Sequence, residues 1–74
     1  MAKLRPLKLR ELLRVLAKAG FVFVSQSGSH AKYRHPDGRM TIVPIHAGEV
    51  IGRGFLRHIL QECKMSEEEL LELL

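Results

Sequence analysis

The sequence predicts an α+β fold, in which a three-stranded antiparallel sheet carries its helices on one face. Two observations lead to this prediction. Helical spacings of apolar residues lie towards both ends of the chain, and three strand-like runs separated by turn residues lie between them. One sheet that packs a single face against both helical stripes is the simplest way to bury those stripes. The predicted order is therefore α-β-β-β-α, followed by a short C-terminal helix.

The first helix is predicted at residues 7–19. Apolar residues there recur at the i, i+3, i+4, i+7 spacing that forms a stripe on one helix face. Pro6 lies where proline is tolerated near a helix start, and Gly20 lies where a left-handed residue usually ends a helix. The start lacks a good side-chain cap, so it is less sharply defined than the end. The stripe consists of Leu9, Leu12, Leu13 and Leu16.

Two strands joined by a polar turn are predicted after this helix. Residues 21–24 combine Phe and Val without a polar residue, which is typical of a strand. The polar residues 25–29 supply turn chemistry. Residues 30–35 form the second strand, in which alternate side chains share a face. One face of that strand carries His30, Lys32 and Arg34.

The third strand is predicted at residues 40–45. Pro36, Asp37 and Gly38 are a strong turn signal, so the second and third strands should form a hairpin. Pro44 has no amide hydrogen to donate to a ladder, which marks a strand end or an edge position.

The C-terminal part is predicted to be helical. Residues 46–54 contain three glycines and form a connecting loop, and residues 55–63 restore helical spacing. Ser66 and Glu69 then form a capping box that opens a last short helix. Its leucines are either core residues or a docking edge. They are Leu70, Leu71, Leu73 and Leu74.

Length and composition indicate one globular domain over residues 1–74. The chain is 46% hydrophobic and 27% charged, and its formal net charge is +4. Four of its acids lie in residues 67–72, so the remainder is more basic than the total suggests. A polyanionic partner is one explanation of this charge, and solubility is the other.

The cysteine count and the apolar runs bear on location. Cys63 is alone, so it has neither an internal disulfide partner nor the paired spacing of a zinc site. No run approaches the roughly 20 apolar residues of a membrane span, and no signal peptide is recognised. We expect a cytoplasmic protein without a membrane partner.

Gly28, Ser29 and His30 are the strongest candidates for chemistry. Imidazole exchanges protons near neutral pH, as a reacting hydroxyl or leaving oxygen requires. Gly28 allows close approach of a substrate, Ser29 offers a hydroxyl and an amide, and Lys32 and Arg34 offer cations for phosphate oxygens. This set suits a phosphodiester. The residues alone favour the alternative, a surface histidine without a catalytic role.

Four segments in order resemble the HicA toxins of bacterial toxin–antitoxin pairs. The resemblance covers the chain from about Leu9 to Leu74. Its segments are Gly-Ser-His at residues 28–30 before the basic strand, Pro-Asp-Gly at 36–38, Val-Pro-Ile-His at 43–46, and Gly-Phe-Leu-Arg-His-Ile-Leu at 54–60.

The resemblance implies a double-stranded-RNA-binding-like fold and a toxin that cleaves mRNA as a metal-independent endoribonuclease. It places the catalytic histidine at His30, as general base or general acid, and needs no cofactor. A HicB-like antitoxin would hold the toxin inactive, and higher-order toxin–antitoxin complexes are an arrangement open to it. The RNA-binding residues expected with His30 are Gly28, Ser29, Lys32, Arg34 and His46.

Phe55 departs from the family pattern, which usually has a small hydroxylated residue after the glycine that opens the second main helix. This difference puts a helix cap or phosphate contact there in doubt. Among the other histidines, we expect His35 to be a turn residue and His58 to be a partly buried structural residue. The four histidines do not cluster at ligand spacings, so no metal site is predicted.

Two further functions stay open from the sequence. The same basic face would serve a module that binds RNA without cutting it. Alternatively, the leucine-rich C-terminal helix would be the functional part of a protein-interaction domain. The leucine positions alone do not decide between core and docking edge.

Overall fold

A computed structural model describes residues 4–45 and 50–74. Within these ranges, three strands form an antiparallel sheet in the order β2-β3-β4, and two short strands form a separate antiparallel pair. The elements are β1 (Leu7–Lys8), α1 (Leu9–Lys18), β2 (Val22–Ser27), β3 (His30–Arg34), β4 (Met40–Pro44), β5 (Val50–Ile51), α2 (Arg53–Cys63) and α3 (Glu67–Leu73).

The helices cover one face of the three-stranded sheet. Ala31 and Val43 lie opposite each other on β3 and β4, and both are fully buried. Their neighbours His30 and Ile42 are exposed on the other face. The buried residues of the helices pack into the same core as Val43. The predicted α+β fold, with an α-β-β-β-α order and helices on one face, is confirmed.

The predicted start of α1 is wrong by two residues. Leu7 and Lys8 pair with Ile51 and Val50 as strands, so their backbone is extended and the helix begins only at Leu9. Lys8 is the N-cap residue, and its side chain has no acceptor for the first helical amides. The carboxylate of Glu11 instead accepts a hydrogen bond from the Lys8 amide at 2.9 Å.

The end of α1 lies where the glycine predicts it. Gly20 has a φ of +97°, and the amide of Phe21 donates to the carbonyl of Leu16 at 2.9 Å. This is the bond that closes a Schellman motif, in which the left-handed position favours glycine. A Cβ at Gly20 would lie 2.8 Å from Nε2 of His35, so this glycine also allows the close approach of the β3–β4 hairpin.

The capping box of the last helix is confirmed. The amide of Glu69 donates to the hydroxyl of Ser66 at 3.0 Å, and the Ser66 amide donates to the Glu69 carboxylate at 3.2 Å. Leu70 is fully buried, and Leu73 and Leu74 pack against the same core. These leucines therefore belong to the core, which weakens the interpretation of the tail as a docking edge.

Candidate nucleic-acid interface

The face of the sheet away from the helices is named here the open face. In an antiparallel sheet, residues directly opposite one another on neighbouring strands point to the same side. The partners of the three predicted β3 residues therefore share their face. The open face consists of Val22, Ser25 and Ser27 on β2, His30, Lys32 and Arg34 on β3, and Met40, Ile42 and Pro44 on β4.

A two-residue turn places His30 at the start of β3. Ser27 pairs with His30, so only Gly28 and Ser29 lie between the strands. Gly28 has a φ of +58° whereas Ser29 does not have a positive φ, which is the pattern of a type II′ hairpin with glycine first. The carbonyl of Ser29 accepts a hydrogen bond from the Ile45 amide at 2.6 Å. This bond ties the turn to the end of β4.

The predicted turn at residues 25–29 is too long. Ser25, Gln26 and Ser27 continue β2 and pair with Lys32, Ala31 and His30. Serine and glutamine have little strand preference of their own, so the hydrogen bonds of the ladder to β3 keep these residues in the strand. The register shifts between Phe23 and Ser25, which leaves Val24 as the extra residue of a β-bulge.

The imidazole of His30 is exposed, and neither of its cross-strand neighbours carries a charge. It lies between Ser27 and Pro44 across the sheet. Within residues 4–45 and 50–74, no hydrogen bond or ion pair to its ring is present, so no carboxylate orients it. Among the described residues, both ring nitrogens are therefore without a hydrogen-bond partner.

Among the residues that the structure describes, the open face carries cations and no carboxylate. A strand rises about 3.3 Å per residue, so Lys32 lies about 7 Å and Arg34 about 13 Å from His30 along β3. Lys32 is half-buried and Arg34 is exposed. The arginine ion pairs that the structure describes lie elsewhere, at Arg5–Glu11, Arg39–Asp37 and Arg57–Glu67. The two open-face cations are thus available to an external anion.

Apolar side chains lie beside these cations. Val22, Met40 and Ile42 on the open face are 58%, 44% and 39% exposed. Val22 and Met40 flank Arg34 across the sheet, and Ile42 lies opposite Lys32. A partner that offers both negative charge and flat or apolar surface would match this face.

Two aromatic residues, Phe23 and Tyr33, lie on the helix side of the sheet. Tyr33 is half-buried against the core, and the ring of Phe23 meets it edge to face at 5.9 Å. Phe23 itself is 54% exposed and is not part of the core. It lies on β2, the edge strand that the helices do not cover.

His35 is a turn residue, as predicted. Its Nδ1 lies 3.1 Å from the Asp37 amide and accepts a hydrogen bond from it. Its ring packs edge-on against Phe21 with 5.3 Å between centroids. Arg39 completes this turn, because its guanidinium lies 5.2 Å from the Phe21 ring and donates to the Cys63 carbonyl at 2.6 Å. These contacts join the hairpin to the end of α2.

His58 is exposed, so the prediction of a partly buried residue is wrong. The core face of α2 consists of Leu56, Ile59, Leu60 and Cys63, which turns residues 55 and 58 outward. The rings of Phe55 and His58 stack at 6.1 Å, and His58 Nε2 lies 3.7 Å from a Glu62 carboxylate oxygen. The predicted start of α2 at residue 55 is wrong, because the helix begins at Arg53. Its N-cap residue is Gly52, no side chain caps it, and Phe55 lies inside the first turn and not at the cap.

His46, predicted to bind RNA, lies outside the described residues, which omit 1–3 and 46–49. In the part of the chain that the structure describes, no group of three or more His, Cys, Asp or Glu side chains is placed to hold a metal ion. Cys63 is buried, and this burial raises the pKa of its thiol to about 11. No described helix is both long and apolar enough to span a membrane.

Comparison with known families identifies the chain. A family model described as the HicA toxin of bacterial toxin–antitoxin systems matches residues 9–65 of the 74. The match includes the helix α1, the whole three-stranded sheet and the turn before His30. The chain therefore belongs to the HicA toxin family, and membership implies an antitoxin partner. No curated protein matches the chain.

Proposed function

We propose that this toxin is a metal-independent endoribonuclease that cleaves mRNA in the cytoplasm, with His30 as its catalytic residue. The observation that carries the proposal is the position of His30. In a chain of the HicA family, this imidazole is exposed at the start of β3, on a sheet face whose described residues include Lys32 and Arg34 and no carboxylate. RNA phosphates are the natural ligand of such a face.

The proposed reaction uses the RNA as its own nucleophile. A general base accepts the proton of a ribose 2′-hydroxyl as that oxygen attacks the neighbouring phosphorus. The bond from phosphorus to the 5′-oxygen breaks, and a proton passes to the leaving oxygen. The products are a 2′,3′-cyclic phosphate and a 5′-hydroxyl. His30 serves as general base for the first proton or as general acid for the second.

Charge stabilisation supports the proton transfers. The pentacoordinate phosphorus group gains negative charge on its oxygens in the transition state. Cations or amides already directed at those oxygens lower the energy of this state. Lys32 and Arg34 supply the cations on the same strand, and the Gly28-Ser29 turn supplies backbone close to the imidazole. His46, the remaining predicted RNA contact, stays a prediction. The proposed RNA-binding set is Gly28, Ser29, Lys32, Arg34 and His46.

The experiment compares two histidine variants on one RNA in the presence of a chelator. His30→Ala should lower the cleavage rate by about 100-fold or more, the range that general acid–base groups contribute. His58→Ala is the matched control, because it removes an exposed imidazole from α2 and should leave the rate unchanged. An oligonucleotide with a 2′-deoxy sugar at the cut site should resist cleavage.

Circular dichroism of both variants checks that neither has unfolded. Full cleavage by His30→Ala in the presence of chelator would exclude His30 from the chemistry. Cleavage of the 2′-deoxy substrate would exclude the proposed nucleophile.

A second candidate function is an RNA-binding module that does not cleave. It is favoured by one observation, the absence of an orienting carboxylate or second general acid beside His30 among the described open-face residues. In that case wild type and His30→Ala would bind RNA equally and neither would cut it. The binding and cleavage assays on the same samples separate the two functions.

We further propose that the antitoxin is HicB-like and covers the open face. A surface with acidic side chains around apolar ones would complement Arg34 beside Val22 and Met40. RNA and antitoxin should then compete. Simultaneous binding of both to the wild-type toxin would show that the antitoxin acts elsewhere.

A further inference from the structure

The strand β2 is an edge of the sheet that no other described element covers. On the opposite edge, β4 is tied to α2 by a hydrogen bond of 2.8 Å from the Thr41 hydroxyl to Glu62. In the described part of the chain, β2 pairs only with β3, and all six of its residues are exposed. Its apolar residues Val22, Phe23 and Val24 are 58%, 54% and 48% exposed.

This edge lacks the side chains that usually keep sheet edges apart. Charged residues, lysine above all, and proline normally prevent edge-to-edge pairing. Residues 19–31 contain no Lys, Arg, Asp, Glu or Pro, although the whole chain has a net charge of +4. The bulge at Val24 is the one protective feature that β2 has. Two copies of the chain therefore meet no charge repulsion along β2 itself.

We propose that β2 pairs antiparallel with β2 of a second copy, about a two-fold axis at Phe23. The segment Val22-Phe23-Val24 reads the same in both directions. Antiparallel pairing about its centre places Phe23 opposite Phe23 and each Val22 opposite a Val24, which are favourable cross-strand pairs. A second copy is thus the occupant for which this edge is self-complementary, and a C2 dimer is the commonest oligomer.

The geometry of this pairing has a consequence for the open face. The two-fold axis of an edge-paired antiparallel sheet is perpendicular to the sheet, so both open faces point to the same side of a six-stranded sheet. The bulge keeps the paired segment short, which places the interface in the class below about 1,200 Å² and makes the dimer weak and concentration-dependent. The proposal does not depend on catalysis by His30.

Sedimentation velocity over a concentration series, without RNA or antitoxin, tests this proposal. Wild type should shift from monomer to dimer as concentration rises. Val22→Lys should remain monomeric because a lysine on an edge strand opposes edge-to-edge pairing. Val50→Lys is the matched control, since Val50 is also 58% exposed but lies on β5. Wild type that is monomeric throughout, or equal loss of the dimer in both variants, would overturn the proposal.

Cysteine crosslinking locates the axis. Phe23→Cys should form a disulfide-linked dimer on mild oxidation, because its sulfur faces its own copy across the axis. Ser27→Cys, four residues away on the same strand, should crosslink far less. The native Cys63 is fully buried and provides the background in wild type. Equal crosslinking at both positions would exclude an axis at Phe23.

Discussion

Ala31 and His30 are adjacent in β3, yet Ala31 is fully buried and the ring of His30 is exposed. The helix-covered face of the sheet is closed by apolar packing and by directed bonds such as those of Arg39 and Thr41. The open face has apolar and cationic side chains without described partners. One pleated strand therefore supplies core residues on one side and the candidate binding surface on the other.

The largest expected effect is a charge placed on the covered face. Val43→Asp buries a carboxylate without a partner and should lower the free energy of unfolding by more than about 3 kcal/mol. Because small domains are marginally stable, a large fraction of the molecules should then be unfolded. Ile42→Asp is the matched change one residue along on the open face and should cost about 1 kcal/mol or less. Thermal or urea unfolding measures both. Equal losses would mean that the open face is also packed.

A smaller effect is expected from a single directed bond. Thr41→Val keeps the shape of the side chain but removes the hydroxyl that donates to Glu62. The free energy of unfolding should therefore fall by about 1 kcal/mol. Ser27→Ala removes an exposed hydroxyl on the open face and should change stability by less than about 0.5 kcal/mol. Urea titrations of the two variants provide the test. A larger loss of unfolding free energy in Ser27→Ala than in Thr41→Val would show that the open face contributes more to stability than the covered face.

RNA binding should depend on the arginine of the open face and not on an exposed arginine of the helices. Arg34→Gln removes one phosphate contact and should lower the slope of log K against log salt by about 0.7 for single-stranded RNA. Arg14→Gln removes an exposed arginine from α1 and should leave the slope unchanged. Fluorescence anisotropy at several salt concentrations measures the slopes. Equal slopes for Arg34→Gln and wild type would exclude the contact.

The smallest effect is a pH dependence at the β3–β4 turn. The Arg39 amide, and to a lesser degree its guanidinium, donates to Asp37 and holds the pKa of that carboxyl below its ordinary value of 3.8. The ionised form therefore stabilises the folded state above pH 3.8, and this stabilisation is lost as the pH falls through the lowered pKa.

Asp37→Asn should consequently lower the melting temperature slightly at pH 7. The difference from wild type should close as the pH falls below 3.8. A melting-temperature difference that is constant from pH 7 to strongly acidic pH would show that the carboxylate charge has no part in it.

Local patterns in the sequence predict much of this fold because their causes are local. The leucine stripe of α1, the left-handed Gly20 and the Ser66–Glu69 capping box depend on residues within one or two turns. Alternation in β3 likewise predicts the shared face of His30 and Arg34. These features are all found in the structure.

The wrong predictions concern features that are set by contacts between segments far apart in the chain. The pairing of β1 with β5 shortens α1, and ladder bonds to β3 extend β2 through Ser27. His58 is exposed because α2 turns Leu56, Ile59 and Leu60 towards the core. No periodicity of the sequence reports these relations, since they arise from contacts between residues far apart in the chain.

The sequence by itself determined the order of the helices and the three sheet strands, the turn between β3 and β4, and the alternation that groups His30 with Lys32 and Arg34. It did so because helix stripes, caps and pleats follow from the chemistry of near neighbours. The tertiary structure decided which face of the sheet the helices cover and which edge they leave open. Those outcomes depend on how the whole apolar surface is buried, and they make the open face and the β2 edge available to partners.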